Sequence, residues 1–199
     1  MHQLRVAAVG KLVCDNFREP VHERDVVLAC LFHDTGNIIK SDLATFPEFL
    51  EPEGYAHWQE EKDNFVRKYG TDEHAATIAI ARELALPQEV LAYIDGIGFS
   101  ALHATRDSLS YEQKICEYAD LRVGPYGILS LDERIAEAGV RYRGRHKDMP
   151  ANEDAFSALA RSAHEIESQI FSRTNIGPTD ITDASAAPVI EELWDYPIS

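Results

Sequence analysis

Two short segments of this chain place metal-binding side chains at the ends of apolar helix patterns. His2 is followed by valines four, seven and eleven residues later, which is the spacing of one helix face. His33 and Asp34 follow residues 26–32, a run that is apolar on every side and predicts a helix in the middle of the core. Imidazole and carboxylate groups bind divalent metals, so these three residues are candidates for a metal site.

Asp120 and His74 also fall on helix faces that are expected to be buried. An unpaired carboxylate costs several kcal/mol to bury, and Asp34 also faces the negative end of a helix dipole. A divalent cation would stabilise both carboxylates. Two imidazoles with two carboxylates suit zinc, manganese, iron or nickel, with cobalt and magnesium also open. Taken singly, such residues are more often hydrogen-bonded core histidines and capping aspartates, but the set favours one divalent metal ion held by His2, His33, Asp34 and Asp120.

The composition limits the partners that this chain can have. Its 199 residues are enough for one domain with a sizeable core, and 45% are hydrophobic, which excludes the disordered and fibrous classes. The net charge of −15 argues against a nucleic acid polymer and against an anionic membrane surface. A small phosphorylated substrate remains compatible, because a bound metal would supply positive charge. The acidic helical surface would suit a homodimer without requiring one.

Cysteine content and hydropathy indicate the cellular compartment. The three cysteines lie in apolar helical patterns without a CxxC spacing, which favours buried thiols over disulfides or a cysteine zinc site. The longest apolar run, residues 26–32, is far shorter than the roughly 20 residues that span a bilayer. The N-terminal segment lacks the apolar core of a secretory signal. We therefore expect a cytoplasmic protein.

Helical periodicity recurs along the chain, so the predicted fold class is all-α, a helical bundle with a metal site in its core. Helices are predicted at residues 2–17, 20–36, 55–69, 72–85, 88–96, 110–123, 130–142 and 151–173. The helix at 130–142 begins with a capping box of Ser130 and Glu133. Residues 36–54 predict a long loop. We expect residues 1–173 to form a single domain and 174–199 a C-terminal tail with a short helix at 188–194.

Three ordered segments resemble motifs of the HD superfamily of metal-dependent phosphohydrolases. Residues 28–37 are similar to its signature, an apolar helix that ends in His-Asp-x-Gly-Asn. Residues 2–7 resemble its first-ligand helix, in which a histidine leads an Arg-Val-Ala pattern, and residues 114–123 resemble its last-ligand helix. The resemblance covers residues 1–145. The pattern Tyr-Ala-Asp-x-Arg-Val-x-Pro is also similar to a subgroup of uncharacterised bacterial and archaeal HD hydrolases.

The resemblance implies an HD-domain helical bundle whose metal ligands are His2, His33, Asp34 and Asp120. Members with two metals use additional histidines, one near the position of His74 and another further along the chain. This sequence has Gly-Ile-Gly at residues 96–98 where the second would be expected, and His103 lies outside the usual spacing. The resemblance therefore implies a single metal.

The implied reaction is hydrolysis of a small phosphate ester, such as a nucleotide, by metal-activated water. Asp34 would hold the metal and orient or deprotonate the water, and His74 would donate to a phosphate oxygen or protonate the leaving group. A structural core histidine is the other interpretation of His74. Fixed positive charge around the phosphate would come from Lys40, Arg5 and Arg122, although surface salt bridges explain these three nearly as well.

Two other functional classes remain open. A diiron HD oxygenase would need His74 and a further histidine as ligands, and the glycines at residues 96 and 98 count against it. A non-catalytic, ligand-binding or regulatory HD module usually lacks one or more metal ligands, whereas this sequence has all four. We rank the phosphohydrolase first, the binding module second and the oxygenase third.

Overall fold

The structure is a computed structural model that describes residues 1–145 and 152–198, and the regular elements of these residues are all helices. The α-helices of the described residues are α1 (His2–Asp15), α2 (Glu23–Phe32), α3 (Gly54–Tyr69), α4 (Glu73–Glu83), α5 (Gln88–Asp95), α6 (Leu102–Asp107), α7 (Tyr111–Leu121), α8 (Leu131–Arg145), α9 (Asn152–Phe171) and α10 (Asp183–Leu193). The only β-type pairs in the described ranges are two isolated bridges, so the all-α prediction is confirmed. None of the described helices is long and apolar enough to cross a membrane.

The core forms around α1, α2 and α7, which pack against one another. α2 is the central helix because its residues 26–30 are all fully buried. α10 covers α1, α5 covers α2 and α9 covers α7. Each fully buried aliphatic side chain contributes roughly 1.5–3 kcal/mol. Burial of these faces therefore determines the relative positions of the three helices that carry the predicted ligands.

Helix ends differ from the predictions by a few residues. α2 begins at Glu23 and ends at Phe32, rather than spanning residues 20–36. The predicted loop at 36–54 contains two 3₁₀ turns, Asn37–Ile39 and Pro47–Leu50. α6 was not predicted, and Ala151, where the last long helix was expected to begin, lies outside the described residues.

The predicted capping box at the start of α8 is confirmed. The backbone N–H of Ser130 donates to the Glu133 carboxylate at 2.8 Å, and the backbone N–H of Glu133 donates to the Ser130 hydroxyl at 3.2 Å. These bonds satisfy donors at the helix start that have no partner within the helix. The chain consequently leaves the 123–128 loop and enters α8 in a defined direction.

The C-terminal segment contributes to the core, which corrects the expectation of a tail with a short helix at 188–194. α10 begins at Asp183, and the side chain of its N-cap residue Thr182 accepts a hydrogen bond from the backbone N–H of Ser185 at 3.1 Å. Its buried residues belong to the same hydrophobic core as α1, namely Ala186, Val189, Ile190 and Leu193. Asp183 also lies 3.7 Å from the Arg5 guanidinium of α1. The segment therefore helps to position α1.

Gly36 allows the turn after α2 to approach α4 closely. Its backbone N–H donates to the Thr77 hydroxyl at 2.9 Å, and a Cβ atom at Gly36 would lie 2.2 Å from the Glu73 carbonyl oxygen. We expect Gly36→Ala to lower the free energy of unfolding by about 2–3 kcal/mol, because backbone must move to admit the methyl group. Urea denaturation would measure the loss.

Gly54→Ala is the matched control for this prediction. Gly54 has a φ of +81°, and no atom of the described residues lies within 4 Å of an added Cβ, so only backbone strain of about 1 kcal/mol applies. Equal losses in the two variants would contradict the close approach at Gly36.

Candidate metal centre

Three helix ends bring the predicted ligands together. His2 is the first residue of α1, His33 and Asp34 follow the last residue of α2, and Asp120 lies in the last turn of α7. The Nε2 atoms of His2 and His33 lie 3.2 and 3.3 Å from Oδ1 of Asp120. The same two atoms each lie 3.6 Å from Oδ2 of Asp34. The four side chains therefore form one cluster.

The spacing of these donor atoms fits a divalent cation. Ligand atoms about 2.0–2.2 Å from a metal lie roughly 3.0–3.5 Å apart when they are adjacent in its coordination shell. The imidazole–carboxylate distances of 3.2–3.6 Å agree with that spacing, and the ligand atoms of His2, His33 and Asp34 all lie within 4.8 Å of one another. Nδ1 of His33 lies 2.8 Å from the Cys30 carbonyl oxygen, so Nδ1–H donates there and leaves Nε2 for the cluster.

The charges within the cluster shift the pKa values of two predicted ligands, His33 and Asp120. Burial lowers the pKa of His33, but the hydrogen bond and charge of Asp120, with the charge of Asp34, raise the pKa of His33 to about 10. Burial raises the pKa of Asp120, but hydrogen bonds from His2 and His33 outweigh burial and hold that pKa well below its usual range. A proton on His33 thus balances one of the two carboxylate charges. Metal binding would displace this proton.

His74 lies beside the cluster and outside it. Its side chain is 49% exposed, and its Nε2 lies 2.9 Å from Oδ1 of Asp95. The prediction that His74 faces the core is therefore wrong, because α4 turns this side chain toward solvent at the wall of the cleft. Within the described ranges, His2, His33 and Asp34 are the one group of three or more such side chains with ligand atoms this close. This arrangement favours one metal.

A cleft of about 1060 Å³ opens over the cluster, and its wall includes Lys40 and Arg5. The Lys40 ammonium pairs with Glu73 at 3.1 Å, and the Arg5 guanidinium lies 3.7 Å from Asp183. Among the described residues, three cationic and three carboxylate side chains line the cleft: Arg5, Lys40 and Arg134, with Asp34, Glu73 and Asp120. These six charges cancel once His33 has lost its proton, so a divalent metal would make the cleft positive toward an anion. Substrate binding by Lys40 and Arg5 stays a prediction.

Arg122 has a structural role instead of the predicted substrate-binding role. The residue is 3% exposed, and its guanidinium donates to the Leu129 carbonyl, the Tyr118 hydroxyl and two carbonyls of the segment before α10, Pro178 and Ile181. The side chain points away from the cleft, whose wall does not include it. The spacing of two residues from Asp120 suggested proximity, but Arg122 is the residue after α7 and its side chain extends to the segment before α10.

Sequence reasoning missed three polar residues near the centre. Asp95 is the partner of His74, and Arg134 lines the cleft while its Nε–H donates to the Val123 carbonyl at 3.1 Å. Arg134 sits in a polar stretch where no local pattern separates it from surface charges, and Asp95 is the last residue of α5, where no local pattern predicts a contact with His74. Glu117 was detectable, because it lies one helical turn before Asp120 on the same buried face of α7.

Glu117 is a fully buried carboxylic acid behind the centre. Oε2 accepts a hydrogen bond from the backbone N–H of Gly98 at 2.8 Å, and Oε1 has no hydrogen-bond partner within the described part of the chain. Burial raises the pKa of Glu117 to about 8, although the Gly98 hydrogen bond opposes this. The folded protein therefore prefers the protonated acid at neutral pH.

We expect Glu117→Gln to become more stable relative to the wild type as pH rises. An acid whose folded pKa is about 8, against an ordinary 4.5, contributes stability below pH 4.5 that is lost as pH rises through 8. Because glutamine does not titrate, the stability difference between variant and wild type should shift by on the order of 5 kcal/mol between pH 4.5 and 9. Urea denaturation with a chelator present would measure it. The exposed Glu60→Gln should show no such shift, and a pH-independent difference for Glu117→Gln would contradict the prediction.

The fold and the cluster together define a helical domain with a candidate metal centre at the ends of three core helices. A family model for the HD domain matches residues 1–120, which is more than half of the chain. The chain belongs to the HD domain family, which is generally one of metal-dependent hydrolases. No curated protein and no solved structure matched the chain. The resemblance to one subgroup of the family stays a prediction.

Proposed function

We propose that this protein is a phosphohydrolase that holds one divalent metal with His2, His33, Asp34 and Asp120 and hydrolyses a small phosphate ester. The observation that carries the proposal is the convergence of two imidazoles on two carboxylates at 3.2–3.6 Å in the cleft. The family supports the reaction class. The net charge of −15 supports a small substrate over a nucleic acid polymer.

The chain supplies groups for each role that phosphate ester hydrolysis requires. A bound divalent metal supplies Lewis acidity toward a phosphoryl oxygen and toward water. Asp34 orients the attacking water and accepts its proton. Lys40 and Arg5 bind the remaining phosphate oxygens from the cleft wall, where both lie. These interactions hold the phosphorus atom in front of the water.

His74 donates a proton to the leaving oxygen. Asp95, 2.9 Å from its Nε2, orients the imidazole. General acid catalysis typically contributes 10²–10⁴-fold, so we expect His74→Gln to lower kcat by about 100-fold or more for esters of poorly leaving alcohols. The loss should be much smaller for p-nitrophenyl phosphate, whose leaving group needs no proton. Equal losses for both kinds of ester would contradict the acid role.

Metal reconstitution followed by a phosphatase screen tests the proposed function. The purified protein is stripped with a chelator and reloaded singly with manganese, nickel, zinc, iron, cobalt or magnesium, and phosphate release is measured over nucleotides and other small esters. We expect release that depends on metal and is lost in His33→Ala. A filled metal site without any hydrolysis would contradict the phosphohydrolase and favour a ligand-binding module.

A further inference from the structure

Three aromatic rings line the same cleft as the metal centre. Phe46 precedes and Phe49 lies in the second 3₁₀ turn after the HD motif, Pro47–Leu50, and Tyr126 comes from the 123–128 loop. The Phe46 and Phe49 rings are stacked at 5.3 Å, and the Tyr126 ring lies 6.0 Å from Phe46 and 5.7 Å from Phe49. Phe49 is 51% exposed and Tyr126 is 67% exposed. This aromatic wall therefore presents ring surface to the cleft.

The aromatic wall is held in place by polar contacts on both sides. The Tyr126 hydroxyl donates to the Glu48 carboxylate at 2.8 Å, which joins the two segments. The backbone N–H of Gly124 donates to the Gly127 carbonyl at 2.9 Å, and the N–H of Ile128 donates to Asp183 at 3.2 Å. Arg122 anchors the base of the same loop through the Leu129 carbonyl. Exposed rings on a braced loop lose little conformational entropy when a ligand binds.

The composition of the cleft indicates the chemistry of its occupant. At about 1060 Å³ the cleft is far larger than a phosphate group, and its wall changes from the charged cluster to the aromatic wall. Ligand sites of this size are usually filled by molecules that match both the polar and the apolar lining. Aromatic rings associate in stacked and edge-to-face geometries at about 4.5–7 Å, and the wall itself already shows both geometries. A molecule in which a planar ring is joined to a phosphate group would match both the aromatic wall and the charged cluster.

We propose that Phe46, Phe49 and Tyr126 bind a planar aromatic ring of the substrate while the metal centre binds its phosphate group. This inference rests on the proposed function for the orientation of the phosphate. The wall selects the ring portion of the ester, and the metal centre performs the reaction. Specificity and hydrolysis therefore reside in different residues of one cleft.

The test compares two phosphonates whose C–P bond is not a phosphate ester bond. Benzylphosphonate and cyclohexylmethylphosphonate carry equal charge and similar apolar volume, but only the first has a planar aromatic ring. Calorimetric titration of the metal-loaded protein should show benzylphosphonate binding about three- to tenfold tighter. Phe49→Leu and Tyr126→Leu should bring the two affinities close together, because leucine keeps the apolar surface and removes the ring.

Two control variants separate ring binding from general effects. Tyr126→Phe keeps the ring and loses the Glu48 hydrogen bond, so it should retain most of the preference. Tyr55→Leu removes an aromatic side chain that is 54% exposed and absent from the cleft wall, and it should leave the preference unchanged. Equal affinities in the wild type, or a preference that survives in both Phe49→Leu and Tyr126→Leu, would overturn the inference.

Hydrolysis of benzyl phosphate and cyclohexylmethyl phosphate then distinguishes this inference from the proposed function. If both hold, benzyl phosphate should have the lower KM, with similar kcat values, in the wild type. If no ester is hydrolysed while the phosphonate preference persists, the result contradicts the proposed function and supports ring binding by the aromatic wall. If both esters are hydrolysed with equal KM, the result contradicts ring binding by the aromatic wall and supports the proposed function.

Discussion

Asp34→Ala and Asp120→Ala are each expected to empty the metal centre. Each variant removes a carboxylate that lies 3.2–3.6 Å from both imidazoles, so the remaining ligands bind a cation far more weakly. Changes outside the ligand shell already cost about 10–100-fold in metal affinity, and we expect more than about 100-fold here. Wild-type protein should carry about one metal per chain after reloading and dialysis, and both variants much less. Phosphate release should fall in parallel.

Metal-dependent stabilisation provides an independent measurement of the same centre. A cation that binds only the folded protein stabilises it by about 2.7 kcal/mol at 100 times the dissociation constant. The Tm of the wild type should therefore rise on addition of metal, whereas the Tm of either variant should change little. Asp107→Ala is the matched control, because Asp107 is exposed and pairs with Arg106 outside the cleft. Full metal content in both Asp34→Ala and Asp120→Ala would contradict the assigned centre.

Arg122→Met is expected to cause the largest loss of stability among the predicted variants. The substitution leaves the Leu129, Pro178 and Ile181 carbonyls and the Tyr118 hydroxyl without their guanidinium partner in a buried region. Each acceptor left unsatisfied costs about 1–3 kcal/mol, and partial relaxation brings the expected total to about 3–5 kcal/mol. Urea denaturation would measure the loss. The KM of the protein that remains folded should be unchanged.

Arg5→Met separates this structural role from substrate binding. Arg5 lines the cleft. The side chain of its ion-pair partner, Asp183, is 59% exposed, so loss of this ion pair should change the free energy of unfolding by less than about 1 kcal/mol. If Arg5 binds the phosphate, the KM of the Arg5→Met variant for the phosphate ester should rise about tenfold. A stable Arg122→Met variant with a raised KM would contradict the structural role and restore Arg122 as a substrate-binding residue.

Local rules were enough to predict the fold class and the cluster. The apolar run at residues 26–32 predicts a buried helix whatever surrounds it, and His33 and Asp34 necessarily lie at its end. Helical periodicity alone predicts that Asp120 shares an inward face with Cys116, and in the fold its side chain reaches the cleft, where it is 24% exposed. Because a buried carboxylate needs a partner, these positions already imply that the charged side chains meet.

The tertiary structure decided which of the neighbouring polar residues reach the cleft. Arg122 follows Asp120 by two residues, yet it contacts the segment before α10, and His74 faces solvent and Asp95 instead of the core. The orientation of these side chains depends on packing between elements that are distant in the chain. Helical periodicity predicts which face of a helix is buried, but it does not predict which other segment packs against that face.

Packing between distant segments also determined the positions of the C-terminal helix and of the aromatic wall. α10 packs on α1 because its buried face matches a surface that only the folded bundle presents. Phe46 and Tyr126 are 80 positions apart in the sequence, yet their ring centroids lie 6.0 Å apart in space. The sequence by itself determined the helices, their buried faces and the residues at their ends, because these depend on local periodicity and on the cost of burying charge. Only the tertiary structure determined the cleft and the residues that line it, because contacts between distant segments depend on how all the helices pack together.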